Sequence, residues 1–145
     1  MRLRLPKLPR GRSLAAIVAV AVLGSACSSG DERAGLSCID DSKECIDQRQ
    51  TTLKGMLADK DRKWVNEAAT PYAHASGVRL FAFRSRKKEL SREELAAGRL
   101  EADGVAKSLR GSDGLSSAQI SRATMFAAEV SKELAAEMRS RRCKA

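Results

Sequence analysis

The stretch SSAQISRATMFAAEVSKELAAEMRSRR, residues 116–142, decides the fold class. Ile120, Ala123, Thr124, Ala127, Val130, Leu134 and Met138 recur in it at intervals of three and four. That spacing lines one face of an α-helix. Ser116 and Gln119 stand ahead of the run as a capping-box pair, hydroxyl to N3 amide and N3 side chain back to the N-cap amide. Arg139, Arg141 and Arg142 fall in the last turn, where positive charge complements the helix dipole. A helix over 117–142 follows, and its apolar face needs partners.

Immediately upstream, Gly111-Ser112-Asp113-Gly114 breaks the chain, and Ser91-Arg92-Glu93-Glu94 forms a second capping box. It opens a helix over 92–110 through Leu95, Leu100, Val105 and Leu109, with Gly98 and Gly104 as weak points. VRLFAFRSRKK, residues 78–88, fits either a short alternating strand or one face of a short helix. No partner strand is visible elsewhere, and an isolated strand leaves its backbone unpaired, so a helix over 78–89 is expected. PYAHASG, residues 71–77, reads as a connection.

Further back, Cys45, Ile46, Leu53, Met56, Leu57, Trp64, Val65 and Ala68 recur at spacings of three, four and seven. They predict one helix over 42–69, capped by Asp40, Asp41 or Ser42 and stopped at Thr70-Pro71. About 25 residues of it would span ~38 Å. The aromatic residues Trp64, Tyr72, Phe81, Phe83 and Phe126 are few, so the core rests on smaller aliphatic side chains, which suits packed helices better than a β-sandwich. The expected fold is all-α, a small antiparallel bundle of three to four helices over residues 42–145.

The chain begins differently. Residues 1–12, MRLRLPKLPRGR, carry Arg2, Arg4, Lys7, Arg10 and Arg12 and no acid, and Leu14 to Leu23 is unbroken apolar sequence followed by small residues. This is the layout of a secretory signal peptide, and the run is short of the roughly 20 residues that cross a bilayer. Leu23-Gly24-Ser25-Ala26-Cys27 resembles the lipobox of bacterial lipoproteins, with Gly24 where leucine is commonest and Leu23 one step further out. The resemblance covers residues 1–27. It implies that Cys27 is thioether-linked to diacylglycerol, that residues 1–26 are cleaved away, and that the new amino terminus is acylated, with palmitate the typical chain. Two or more acyl chains anchor stably, since each buried CH2 contributes ~0.8 kcal/mol. Ser28 rather than Asp after the cysteine implies, by the sorting rule of enteric lipoproteins, the outer membrane, with the domain in the periplasm. Residues 28–37, SSGDERAGLS, read as a flexible spacer, so that 27–41 links anchor to domain.

Removing residues 1–26 leaves 119 residues, enough for one modest domain. The formal charge of +9 falls to +4 once the five leader cations are gone. Nucleic acid is thereby excluded as a partner, both by this charge and by export.

Cys38, Cys45 and Cys143 remain after Cys27. In an oxidising compartment a disulfide is expected and an odd count leaves one over. Within one helix, Cys38 and Cys45 would lie ~10.5 Å apart, beyond the ~7 Å a disulfide tolerates. Cys38 precedes the cap, so a local bridge stays open. Four helices that each reverse direction return the C-terminus to the start of the first, which favours a bridge from Cys143 to Cys45, or else to Cys38. Closing about 100 residues would contribute up to ~4.7 kcal/mol. Three cysteines and one histidine at these spacings match no common zinc module, so no metal is expected, nor any cofactor.

His74 is the sole histidine, in a loop-like setting with no marked nucleophile or orienting acid beside it. An ordinary surface histidine is expected, and no catalytic residue is assigned. Arg79, Arg84, Arg86, Lys87 and Lys88, interleaved with Phe81 and Phe83, form the most suggestive local cluster. They are candidates for contact with anionic lipid or polysaccharide, against the plainer alternative of a solvated helix face. The expected role is a lipid-anchored envelope protein that supports, tethers or contacts another envelope protein. The alternatives are an envelope enzyme or accessory using His74, and an exclusion or lysis lipoprotein of a mobile element.

Overall fold

A computed structural model describes residues 33–142. Its α-helices are α1, Lys43–Ala58; α2, Pro71–Ser76; α3, Val78–Arg86; α4, Arg92–Leu109; and α5, Ser117–Arg142, with 3-10 turns at Ala34–Leu36 and Lys63–Asn66. No strand occurs among the described residues, so the fold is all-α, with five α-helices rather than three to four.

Both capping boxes form. Ser91 Oγ accepts from the Glu94 amide while Glu94 accepts from the Ser91 amide. Ser116 and Gln119 repeat the exchange at 3.2 and 2.8 Å. Each box satisfies two amides that a helix start leaves unpaired. The turn between α4 and α5 uses Gly111 and Gly114 at φ +75° and +79°, a backbone conformation that favours glycine. The two helices then run antiparallel: Ser131 Oγ donates to Asp103 Oδ1 at 2.6 Å, and Arg141 near the far end reaches the carbonyls of Leu90, Lys87 and Lys88. Leu95, Val105 and Leu109 of α4 and Val130 and Leu134 of α5 are completely buried in this core. Each such side chain contributes about 1.5–3 kcal/mol on burial.

Segment 78–86 is helical as expected, and α3 lays Leu80, Ala82 and Phe83 into the same core. Phe83 meets Trp64 edge to face at 4.8 Å between ring centroids. On α4, a Cβ at Gly98 would stand 2.4 Å from the Phe83 ring, so this glycine makes the close approach possible.

The long helix expected over 42–69 does not form. It starts at the Ser42 cap and ends at Ala58. Asp59 then accepts hydrogen bonds from the amides of Asp61 and Lys63, and Arg62 turns left-handed at φ 48°. A left-handed non-glycine residue costs roughly 1–2 kcal/mol. Here the turn returns Trp64 to α1, where its Nε1 donates to the Met56 carbonyl at 3.1 Å, and sets Arg62 against Glu94 at 2.8 Å. Thr70-Pro71, expected to stop a helix, starts one. Thr70 Oγ1 accepts from Ala73 N, and Pro71 takes the first helical position, where an amide would be unpaired anyway.

Residues 33–41, expected within a flexible spacer, touch the domain at some points and stay exposed at others, Arg33, Ser37, Asp40 and Asp41 among the exposed. Gly35 is buried against α1, its amide donates to Thr52 Oγ1 at 3.1 Å, and a Cβ there would sit 2.5 Å from the Gln48 carbonyl. Cys27 and the remainder of the spacer lie outside the described residues.

The expected bridge from Cys143 is corrected: the disulfide joins Cys38 to Cys45. Cys38 stands on the non-helical approach to α1, so the Cα atoms are 5.4 Å apart rather than a helical rise of seven residues. The count of direction reversals failed because the turn after Ala58 adds one. α1 packs on α3, and α5 on α4 and α3, so the two long terminal helices are not the expected antiparallel pair. The start of α5 lies beside the disulfide, with Gln119 donating to the Ile39 carbonyl and Arg122 to Asp41. From Arg122 the helix runs ~30 Å to its last turn. Cys143 itself is outside the described residues. Non-reducing peptide mapping is expected to recover Cys38 joined to Cys45 in wild type and Cys143→Ser alike, and loss of the bridge to cost about 2.5 kcal/mol for so short a loop.

Candidate functional site

The basic cluster of α3 is mostly committed to the fold. Arg79 points inward with a side chain 3% exposed, against Glu101 at 10%. It bridges both Glu101 carboxylate oxygens, at 2.8 and 2.6 Å, and donates to the carbonyls of Trp64 and Glu67 at 2.8 and 2.9 Å. Arg84 pairs with Glu129 and Glu133 of α5 at 3.0 and 2.7 Å, Lys87 with Glu133 at 2.5 Å, and Arg86 with Glu89. The Lys87 hydrogen bond, with Arg84 nearby, holds the Glu133 carboxyl below its ordinary range despite slight burial. Lys88 stands exposed beyond α3. Of the candidates for an anionic surface, Arg79 is thus a core residue, while Arg84, Arg86 and Lys87 are paired with carboxylates and stay partly exposed.

His74 is also relocated. It lies on α2, 8% exposed, and its Nδ1 is buried without a hydrogen bond. Burial lowers its pKa from the ordinary 6.5; the Glu101 charge opposes the shift and the Arg79 charge adds to it. Glu101, the carboxylate that acts on it, is already held by Arg79, so the arrangement does not assemble a base with its orienting acid. The consequence is for stability. The unfolded histidine takes up its proton at a higher pH than the folded one, so stability is full above about 6.5 and falls as pH drops through that value toward the lower folded pKa. Urea midpoints measured from pH 7.5 to 5.5 should decline for wild type and decline less for His74→Leu. Glu94, lowered chiefly by its hydrogen bond from Arg62, titrates below this window, as does Glu133.

A more apolar concave site lies elsewhere. A groove of about 410 Å³ opens between the 39–41 segment, α1, the α2–α3 junction and the first turns of α5. Ligand sites commonly fall between roughly 300 and 1,000 Å³, apolar with a few polar groups. Leu53, Ala75, Val78 and Ala123 line it, and so do Phe81 and Phe126, which stack on one another at 5.4 Å with 28° between their planes. Arg84 lies 5.9 Å from the Phe126 ring centre and holds that side from the back. Gly77, at φ +72°, ends α2 and caps α3 in a single residue, which brings Ala75 and Val78 to the same wall. Phe81 remains 48% exposed, a large apolar side chain offered to the outside. Asp41, Arg49, Gln50 and Arg122 form the polar margin. Arg49 donates to the carbonyls of Cys38 and Asp40 and lies 3.8 Å from Asp41, while Arg122 meets Asp41 at 3.4 Å.

Of these groove residues only Phe81 stood out in the sequence as part of a contact cluster, and there beside the basic residues of 79–88. The available signal was the scarcity of aromatic residues, two of which meet here. Among the described residues no group of three or more His, Cys, Asp or Glu is placed to hold a metal ion, and no helix is long and apolar enough to cross a membrane.

Compared with protein-family models, with curated proteins and with solved structures, the chain matches none.

Proposed function

We propose that the chain is a lipid-anchored contact protein of the bacterial envelope, a binding module rather than a catalyst, whose contact site is the groove walled by Phe81 and Phe126. The observation that carries this reading is the exposed aromatic groove beside the 33–41 segment, which leads back to Cys27. If Cys27 bears the lipid, only residues 28–32 separate it from that segment. Six residue steps reach at most about 20 Å, so the domain works close to the bilayer surface. The paired carboxylates around α3 leave little net positive charge there for a polyanion, which favours the groove over the basic cluster as the contact surface.

Complementation of a deletion strain tests this, with envelope permeability to a hydrophobic dye as readout and the mature N-terminus read by mass spectrometry. Wild type and His74→Leu should restore the barrier, whereas Cys27→Ser and Phe81→Glu should not. Phe81 is exposed, so its replacement leaves the core intact. Restoration by Phe81→Glu with failure of His74→Leu would overturn the proposal in favour of an enzyme. An uncleaved, unmodified N-terminus would overturn the anchoring.

A further inference from the structure

We infer that the groove takes a single-chain amphiphile with an anionic head, such as a long-chain carboxylate from the adjacent membrane. The inference rests on the contact-module reading and names its ligand. The interior of the groove offers hydrocarbon and aromatic surface from three separate helices: Leu53 of α1, Val78 and Phe81 of α3, and Phe126 of α5. Such a lining gives no hydrogen bonds and so selects an apolar chain. Of the polar residues that line it, Ser76 is occupied at the α2–α3 junction, its hydroxyl donating to the Ala73 carbonyl and accepting from the Val78 amide, and the charged ones are Asp41, Arg49 and Arg122.

Among them Arg122 is the residue to receive a head group. It is 60% exposed on the first turns of α5, and its 3.4 Å contact with Asp41 joins two exposed groups. A guanidinium presents a planar fork that matches a carboxylate with two parallel hydrogen bonds, a better partner than this single long contact. Arg49 supports the margin differently, since its guanidinium is bonded to main-chain carbonyls and is 21% exposed. Asp41 is the opposing charge on the groove wall; Asp40 stands nearby and accepts from the Ser42 amide. A bound carboxylate therefore gains Arg122 and is opposed by Asp41. The two residues should act in opposite directions.

The test uses the full lipidated protein, purified from membranes and reconstituted in phosphatidylcholine vesicles, with diazirine-bearing palmitate as the probe and adducts located by mass spectrometry. Adducts should concentrate on groove residues. Half-saturating palmitate should rise ~fivefold in Arg122→Glu and fall in Asp41→Asn, the scale of one exposed charge interaction. A diazirine-bearing hexadecanol, with the same chain and no charge, should be indifferent to both substitutions. Palmitate labelling that ignores both substitutions, or that hexadecanol matches, overturns the anionic head. Labelling seen in Cys27→Ser and absent from the lipidated protein means that the chain's own anchor fills the groove, and overturns the inference. Absence of groove adducts with either probe, while Phe81→Glu still fails to complement, overturns the amphiphile and leaves the contact module standing with a protein partner. Complementation by Phe81→Glu would instead remove the reading beneath it.

Discussion

Arg79→Ala is expected to lower stability by about 3–5 kcal/mol, because it strands the Glu101 carboxylate in the core without its cation. It also removes the Arg79 donor from the Glu67 carbonyl and from the Trp64 carbonyl, which keeps only the Glu67 amide. A domain of this size has about 5–15 kcal/mol in total, so the variant will sit near the edge of folding at room temperature. Urea unfolding followed by Trp64 fluorescence checks it. Removing both charges with Arg79→Met and Glu101→Leu should recover much of the loss, since replacing a buried pair by apolar groups of similar size is often neutral or better. A loss below about 1 kcal/mol for the single variant would mean that the pair is solvated.

The second large effect belongs to Phe83. Fully buried and set against both Trp64 and Gly98, its replacement by alanine should cost about 3–5 kcal/mol through lost burial and an unfilled cavity. The same contact inverts the usual result at Gly98. In an exposed helix interior, glycine to alanine gains up to about 1 kcal/mol. Here the new methyl meets the Phe83 ring, so Gly98→Ala should destabilise, by about 1–3 kcal/mol for an overpacked core. The two positions are coupled. Gly98→Ala in a Phe83→Leu background should cost less than in wild type, and the double-mutant cycle measures the difference. Additive effects would show that the helices separate freely at this point.

The parts of the fold that were legible in sequence are those governed by neighbours three or four residues apart. The apolar face of α5 and the two capping boxes follow from local spacing, whereas the helical state of α3 follows from the lack of a partner strand, its own spacing fitting strand and helix alike. The turn after Ala58 does not, because helical periodicity continues through it. What breaks the helix is the Asp59 carboxylate taking two amides, with the burial of Trp64 to compensate. Pro71 illustrates a different ambiguity, since the same residue ends one helix or begins another according to where the preceding one has already stopped. The reach of Arg79 to Glu101 and of Lys87 to Glu133 crosses between helices, and a charge count along the chain cannot anticipate it. The groove is further from sequence still. Its walls come from four segments, and whether Phe81 faces the core or the outside depends on how all four meet.

Arg141 joins the end of α5 to the carbonyls of Lys87, Lys88 and Leu90, which lie where α3 has stopped and α4 has not begun. Helix ends are normally the first places to open, and amides there exchange with solvent long before the core does. Here the last turn of α5 cannot fray without also releasing the link between α3 and α4. The two regions should therefore open as one cooperative unit, with amides near residue 90 and near residue 138 exchanging at a common rate. The tail end of the chain thus acts as a clasp on its middle.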